Sequence, residues 1–76
     1  MIDVAGRHPA TVHLAQFFNF EHLKNAQARD VAEGFTVLAT GLLALLEDGP
    51  ELTACMRKLV EAKDCAVRAV IYSVGE

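Results

Sequence analysis

The sequence predicts an all-α fold in which two long helices form an antiparallel hairpin and a short N-terminal helix packs against them. Apolar residues recur at alternating spacings of three and four along both long segments, as on one side of an α-helix. The two prolines, Pro9 and Pro50, each precede such a segment, where proline suits the first helical turn. No segment has the alternating pattern of a strand. We therefore predict one helical domain over residues 1–76.

The first helix is predicted to begin at Pro9 and to end near Asn19 or slightly beyond. Pro9 suits the first helical turn because its φ is fixed and it has no N–H. This helix directs four apolar side chains toward the core: Leu14, Phe17, Phe18 and Phe20.

The central helix is predicted to begin at Ala26 with Asn25 as its N-cap, although a kinked helix continuous with the first fits nearly as well. Gly34 and Gly41 lie seven residues apart, on nearly the same face, and each costs about 1 kcal/mol relative to alanine. They favour close approach of another helix, or a backbone surface opened for a ligand. The predicted core seam is Ala28, Val31, Phe35, Leu38, Leu42 and Leu45.

The last helix is predicted to begin at Pro50, after Gly49 in a left-handed C-cap of the preceding helix. It carries two apolar seams, which are Leu52, Cys55, Leu59, Ala62, Ala66 and Ala69, and Met56, Val60, Val67 and Val70. A third stripe is ionic and contains i,i+4 pairs of opposite charge, Arg57 with Glu61 and Asp64 with Arg68. This stripe is either a solvated, self-paired face or the polar wall of a ligand groove.

The composition predicts self-association. The apolar fraction is 53% and the mean hydropathy is +0.26, whereas a domain of this size buries only about 60% of its unfolded surface. We therefore expect a homo-oligomeric helical bundle, from dimer to hexamer. A membrane span is not expected, because the longest apolar stretch, residues 35–46, is too short.

The charge pattern excludes some partners. The net charge is −3 with both signs interspersed, so no basic surface for a nucleic-acid polymer is expected. The N-terminus lacks the features of a signal peptide, which favours a cytoplasmic protein with reduced cysteines. Cys55 and Cys65 are ten residues apart on one helix, too far to bond to each other, and are predicted to be buried.

Catalytic chemistry finds little support in the sequence. His8, His13 and His22 are dispersed, and neither a zinc-hydrolase motif nor a nucleophile elbow nor a phosphate-binding glycine loop is present. We predict that the protein is not an enzyme and holds neither a metal nor a cofactor.

The N-terminal segment contains the best candidates for anion binding. Arg7, His8 and Thr11 surround a helix start, where free N–H groups and positive potential favour phosphate oxygens. Lys24 and Arg29 are candidate helpers. The ring of Phe20 either stacks on a base or fills the core.

Two motifs carry a resemblance to a known family. His8-Pro9-Ala10-Thr11 near the start and Lys58-Leu59-Val60-Glu61-Ala62, followed by Arg68-Ala69, resemble the phage anti-defence (anti-CBASS and anti-Thoeris) cyclic-nucleotide sponges. Residues 17–23 and 48–52 also resemble small helical proteins of actinobacterial phages, a branch of the same family. Proteins of this family are small, helical and hexameric, and they sequester cyclic di- or trinucleotides without hydrolysing them. The resemblance implies ligand-binding roles for His8, Pro9, Thr11, Lys58, Glu61 and Arg68, in a site between subunits. Glu61 and Arg68 serve either the ligand or the contacts between subunits.

The leading functional hypothesis is therefore a phage protein that sequesters a cyclic oligonucleotide immune signal in the cytoplasm of an infected bacterium. The alternative is an oligomeric interaction protein that inhibits or scaffolds a host protein. In that case Phe17, Phe18 and Phe20 are the anchors.

Overall fold

The structure, a computed structural model, describes residues 2–72. Helix α1 is Pro9–Ala15 and continues into a 3₁₀ turn, Gln16–Phe18; α2 is Ala26–Leu45 and α3 is Pro50–Ile71. The described part of the chain contains helices and connections but no strand. Helix α2 packs along α3, α1 packs on α3, and the 3₁₀ turn contacts α1 and α2. The predicted all-α class is confirmed.

Helix α1 is shorter than predicted. It gives way to the 3₁₀ turn at Gln16, and the backbone is extended at Asn19. The tighter turn changes the phase of the side chains. Phe18 is buried, Phe20 is half-buried and Phe17 is 43% exposed, so the prediction that all three phenylalanines face the core was wrong for Phe17.

Helix α2 begins where predicted. The Asn25 side chain accepts a hydrogen bond from the Ala28 N–H at 3.0 Å, which confirms the N-cap. The backbone between Phe18 and Asn25 is not helical, so α1 and α2 are separate helices. The Thr36 hydroxyl donates to the Phe18 carbonyl at 2.5 Å and connects the 3₁₀ turn to α2.

The buried side of α2 differs from the predicted seam. Ala28, as predicted, is buried, but Leu38 and Leu45 are 48% and 82% exposed. The other buried residues of α2 each come one position after a residue of the predicted seam; they are Ala32, Ala39 and Leu43. Alanines allow the helices to approach closely, and they occupy the contact in place of the larger leucines.

The glycines also differ from expectation. Gly49 is the N-cap of α3 with φ of 166°, which is extended backbone, so the predicted left-handed C-cap is wrong. The positive φ of 76° occurs at Gly6. A Cβ added at Gly34 or Gly41 would meet nothing within 4 Å, so no close helix approach is made at these glycines within the described chain.

One core joins all the helices. Leu52 and Met56 of α3 are buried. Leu52 belongs to the first predicted seam and Met56 to the second. Ala62 and Ala69, also in the first seam, are exposed. Cys55 is half-buried and Cys65 is exposed, so the predicted burial of Cys65 was wrong. The core cluster consists of Ile2, Leu14, Ala15, Phe18, Ala39, Leu43, Leu52 and Met56.

Candidate ligand-binding site

The N-terminal segment folds over the connection between α2 and α3. A turn closed by the hydrogen bond from the Arg7 N–H to the Val4 carbonyl at 3.0 Å places Arg7, and Gly6 supplies the positive φ that this turn requires. The Asp3 carboxylate accepts from the Ala5 N–H at 3.0 Å and supports the same turn. This local geometry directs the Arg7 side chain toward the end of α2.

The guanidinium of Arg7 caps α2. Nη2 donates to the carbonyls of Leu43 and Leu46, the latter at 2.8 Å. These are among the carbonyls at a helix end that have no intrahelical partner, and a cation is favourable there. Arg7 is half-buried, so its first role is to hold the N-terminal segment on α2.

The three predicted anion-binding residues do bind an anion, and that anion is the chain's own Asp48. The Asp48 carboxylate accepts from the Thr11 hydroxyl at 2.8 Å and from the His8 N–H at 2.9 Å. Arg7 Nη1 lies 3.6 Å from Asp48 Oδ1. Thr11 is buried, so its hydroxyl is committed to this contact.

These contacts set the ionisation of Asp48. The hydrogen bond from the His8 N–H, followed by that from the Thr11 hydroxyl, lowers the pKa of Asp48 below its ordinary value of 3.8. The charge of Arg7 acts in the same direction, and desolvation opposes it. The Asp48 carboxyl therefore loses its proton at a lower pH in the folded protein than in the unfolded chain.

We expect the free energy of unfolding to depend on pH through this carboxylate. Because the pKa of Asp48 is lower in the folded chain, its contribution is fully present above pH 3.8 and is lost as the pH falls through the folded-state pKa. Urea unfolding between pH 2 and pH 7 measures it. Asp48→Asn should reduce the loss of unfolding free energy at acid pH, whereas Asp30→Asn, which removes an exposed carboxyl on α2, should leave that loss unchanged. The same loss at acid pH in Asp48→Asn and in the wild type would contradict the assignment.

His8 links this cluster to an open cleft. Its Nδ1 accepts from the Ala10 N–H at 3.0 Å and caps α1. In the neutral ring the proton is then on Nε2, which is a donor. His8 is exposed, and its ring lines the cleft at the start of α3.

The cleft has a volume of about 460 Å³, within the usual range for small-molecule sites. Arg57, His8 and Thr53 supply donors, while Pro50 and Ala54 supply apolar surface. The full lining is His8, Asp48, Gly49, Pro50, Thr53, Ala54 and Arg57.

The other predicted residues lie elsewhere. Phe20 is half-buried and lines a small cavity of about 140 Å³ together with Ile2. Among the described residues it is not part of the core cluster. Arg68 lies beside His22 and Leu23 in a shallow cavity, and Lys24 precedes the start of α2. Helix α2 has 20 residues and spans about 30 Å. The predicted residues therefore do not form one site. Arg7, His8, Pro9 and Thr11 lie near the connection between α2 and α3, whereas Phe20, Lys24, Arg29 and Arg68 lie toward the other end of the hairpin. Lys58 and Glu61 lie near the middle of α3.

The ionic stripe of α3 is paired differently from the prediction. Asp64 lies 3.1 Å from Lys63, and Arg68 donates to the Cys65 thiol at 3.4 Å. Lys63 also donates to the Phe17 carbonyl. Within residues 2–72 the predicted pairs Arg57–Glu61 and Asp64–Arg68 are not among the ion pairs. Arg57, Lys58 and Glu61 are exposed and face solvent.

Sequence reasoning did not include Asp48, Thr53 or Arg57 among the binding residues. Asp48 was interpreted only as part of a helix connection, and Arg57 only as part of the ionic stripe. The signal for Arg57 was its position two turns after Pro50, on the side that meets the N-terminal segment.

Comparison of the chain with protein-family models, with curated proteins and with solved structures finds no match. In the part of the chain that the structure describes, no helix is long and apolar enough to cross a membrane. The described residues also contain no group of three or more His, Cys, Asp and Glu side chains that could hold a metal ion.

Proposed function

We propose that this protein is a phage anti-defence protein that binds a cyclic oligonucleotide signal in the host cytoplasm and sequesters it without cleaving it. The observation that carries the proposal is the cleft at the start of α3, which is lined both by the donors of Arg57, His8 and Thr53 and by the apolar residues Pro50 and Ala54. Phosphate oxygens need donors and positive potential, and a nucleobase needs an apolar surface. The cleft offers both within one small volume.

The roles in the cleft follow from side-chain chemistry. The Arg57 guanidinium is exposed and makes a charge-assisted contact with a phosphate. His8 Nε2–H and the Thr53 hydroxyl donate to oxygens of the phosphate or sugar. Asp48 repels a phosphate from its own side of the cleft and so orients the charged part of the ligand toward Arg57.

Isothermal titration calorimetry tests the proposal with a panel of cyclic di- and trinucleotides and cyclic ADP-ribose isomers. We expect submicromolar binding of at least one ligand, recovered intact by mass spectrometry. Arg57→Gln should weaken it by about tenfold or more, the loss of one hydrogen bond to a charged group. Lys63→Gln is the matched control, because it removes one cation outside the cleft at a residue that is not among the predicted binding residues. Flat titrations across the whole panel would overturn the proposal.

A second candidate function is an interaction protein that binds a host protein, and exposed Phe17 favours it. The Phe17 ring is 43% exposed and makes an edge contact with His13, with ring centroids 5.3 Å apart. A rigid aromatic group on the surface is a common anchor in protein interfaces. Of the three predicted anchors, Phe18 is buried and Phe20 is half-buried, so Phe17 is the most accessible to a partner. Loss of a host complex on Phe17→Ala, with flat nucleotide titrations, would favour this function.

A further inference from the structure

The side of α2 that points away from α3 is apolar and has no partner within the described chain. Val37, Leu38 and Leu45 leave 66%, 48% and 82% of their surface exposed. Residues 34–46 contain no charged side chain. We call this surface the outer face of α2; it consists of Gly34, Val37, Leu38, Gly41, Ala44 and Leu45.

The polar groups of the same stretch are already satisfied. The Thr36 hydroxyl donates to the Phe18 carbonyl, and the Thr40 hydroxyl donates to the Thr36 carbonyl at 2.7 Å. This face therefore offers few free hydrogen-bonding groups to water. A contiguous exposed apolar patch on a small protein marks an interaction surface.

The order of residues on this face is self-complementary. Glycine and leucine alternate along it as Gly34, Leu38, Gly41 and Leu45. In an antiparallel pair with a two-fold axis between positions 39 and 40, Leu38 lies opposite Gly41 of the second copy. Leu45 then lies opposite Gly34. A Cβ at either glycine would meet nothing within 4 Å, so each leucine has an open groove to fill.

The outer face runs from Gly34 to Leu45 and is about 16 Å long, whereas the molecule measures 43 × 20 × 18 Å. A standard interface buries about 800 Å² on each partner, which is about the area of one long side of the molecule. The outer face is therefore the apolar centre of such a contact, and the surrounding surface of the same side supplies its polar rim. Because the same patch serves both partners, the contact closes after two copies and leaves no apolar surface to recruit a third through it.

We propose that the protein forms an antiparallel, two-fold dimer through the outer face of α2. This inference does not depend on ligand binding. The symmetry has one consequence that does rest on the proposed function: Lys24 and Arg29 of one copy lie at the same end of the dimer as the cleft of the other. Each end of the dimer therefore combines the cleft residues of one copy with Lys24 and Arg29 of the other, which lie far apart along a single chain.

Disulfide trapping tests the register. In a Cys55→Ala, Cys65→Ala background, Gly34→Cys and Leu45→Cys variants are mixed and oxidised. Positions 34 and 45 meet across the proposed axis, whereas two copies of position 34, or of position 45, are offset by about 16 Å. We therefore expect the mixed 34–45 disulfide and little of either homodimer. Predominant 34–34 and 45–45 products would indicate a parallel pair and overturn the proposal, as would no trapped dimer.

Sedimentation equilibrium tests the interface without cysteines. Leu38→Glu places a charge opposite Gly41 and should raise the dimer dissociation constant by about 30-fold or more, as for a central interface residue. Ala69→Glu, on an exposed position of α3, should leave the constant unchanged. Circular dichroism checks that both variants remain helical. A wild-type protein that stays monomeric at millimolar concentration would overturn the proposal whatever the nucleotide titrations show.

Discussion

Met56→Ala is expected to lower the free energy of unfolding by about 2–5 kcal/mol, the usual cost of removing a large side chain from a closed core. Met56 is 0% exposed and belongs to the cluster that joins the N-terminal segment, α2 and α3. A domain of 76 residues has a stability of about 4–11 kcal/mol. The substitution therefore removes a large part of the stability, and urea unfolding followed by circular dichroism measures it.

Val37→Ala is the matched control because Val37 is apolar but 66% exposed. At low protein concentration, where the proposed dimer is dissociated, its loss should stay within about 0.5 kcal/mol, as for surface positions. Equal losses for Met56→Ala and Val37→Ala would contradict the described core. At high concentration Val37→Ala should become more destabilising, because dimerisation then contributes to the measured stability.

The ends of the helices could be predicted because their signals are local. Pro9 and Pro50 fix the first turn of a helix through their own rings, and Asn25 caps α2 with its own side chain. Each of these residues acts within three positions of itself. No knowledge of the tertiary structure is needed for such contacts.

The buried face of α2 could not be predicted by periodicity. Residues 34–46 lack charge on every side of the helix, so more than one stripe satisfies the three-four rule. Packing selects the stripe with Ala32 and Ala39, because small side chains bring α2 and α3 close together. The large residues Leu38 and Leu45 are then left outside, and the surplus of apolar residues in the composition becomes an exposed face.

The site was predicted in part for a similar reason. Arg7, His8 and Thr11 are neighbours in sequence, so their grouping around a helix start could be inferred. Their partner Asp48 lies 37 residues after Thr11, and nothing in the local sequence links the two. The cleft forms only when this long-range contact places His8 beside the first turns of α3, where Arg57 lies. Binding of a phosphate by these residues stays a prediction.

Ala39→Leu is expected to destabilise the fold by about 1–3 kcal/mol through overpacking. Ala39 is 0% exposed and lies in the core cluster with Leu43 and Leu52, so three additional carbon atoms have no free volume to enter. Leucine and alanine are both good helix formers. The loss therefore reports the distance between α2 and its neighbours and not a change in helix propensity.

Gly41→Ala, two positions further along the same helix, is the control with the opposite sign. Its new Cβ meets nothing within 4 Å in the single chain, so the monomer should gain about 0.5–1 kcal/mol from helix propensity and reduced freedom of the unfolded chain. Urea unfolding at low protein concentration measures both substitutions. A neutral Ala39→Leu would mean that the alanines do not set the spacing of the helices. In the proposed dimer the methyl group that Gly41→Ala adds lies against Leu38 of the second copy. The variant that stabilises the monomer should therefore dimerise more weakly than the wild type.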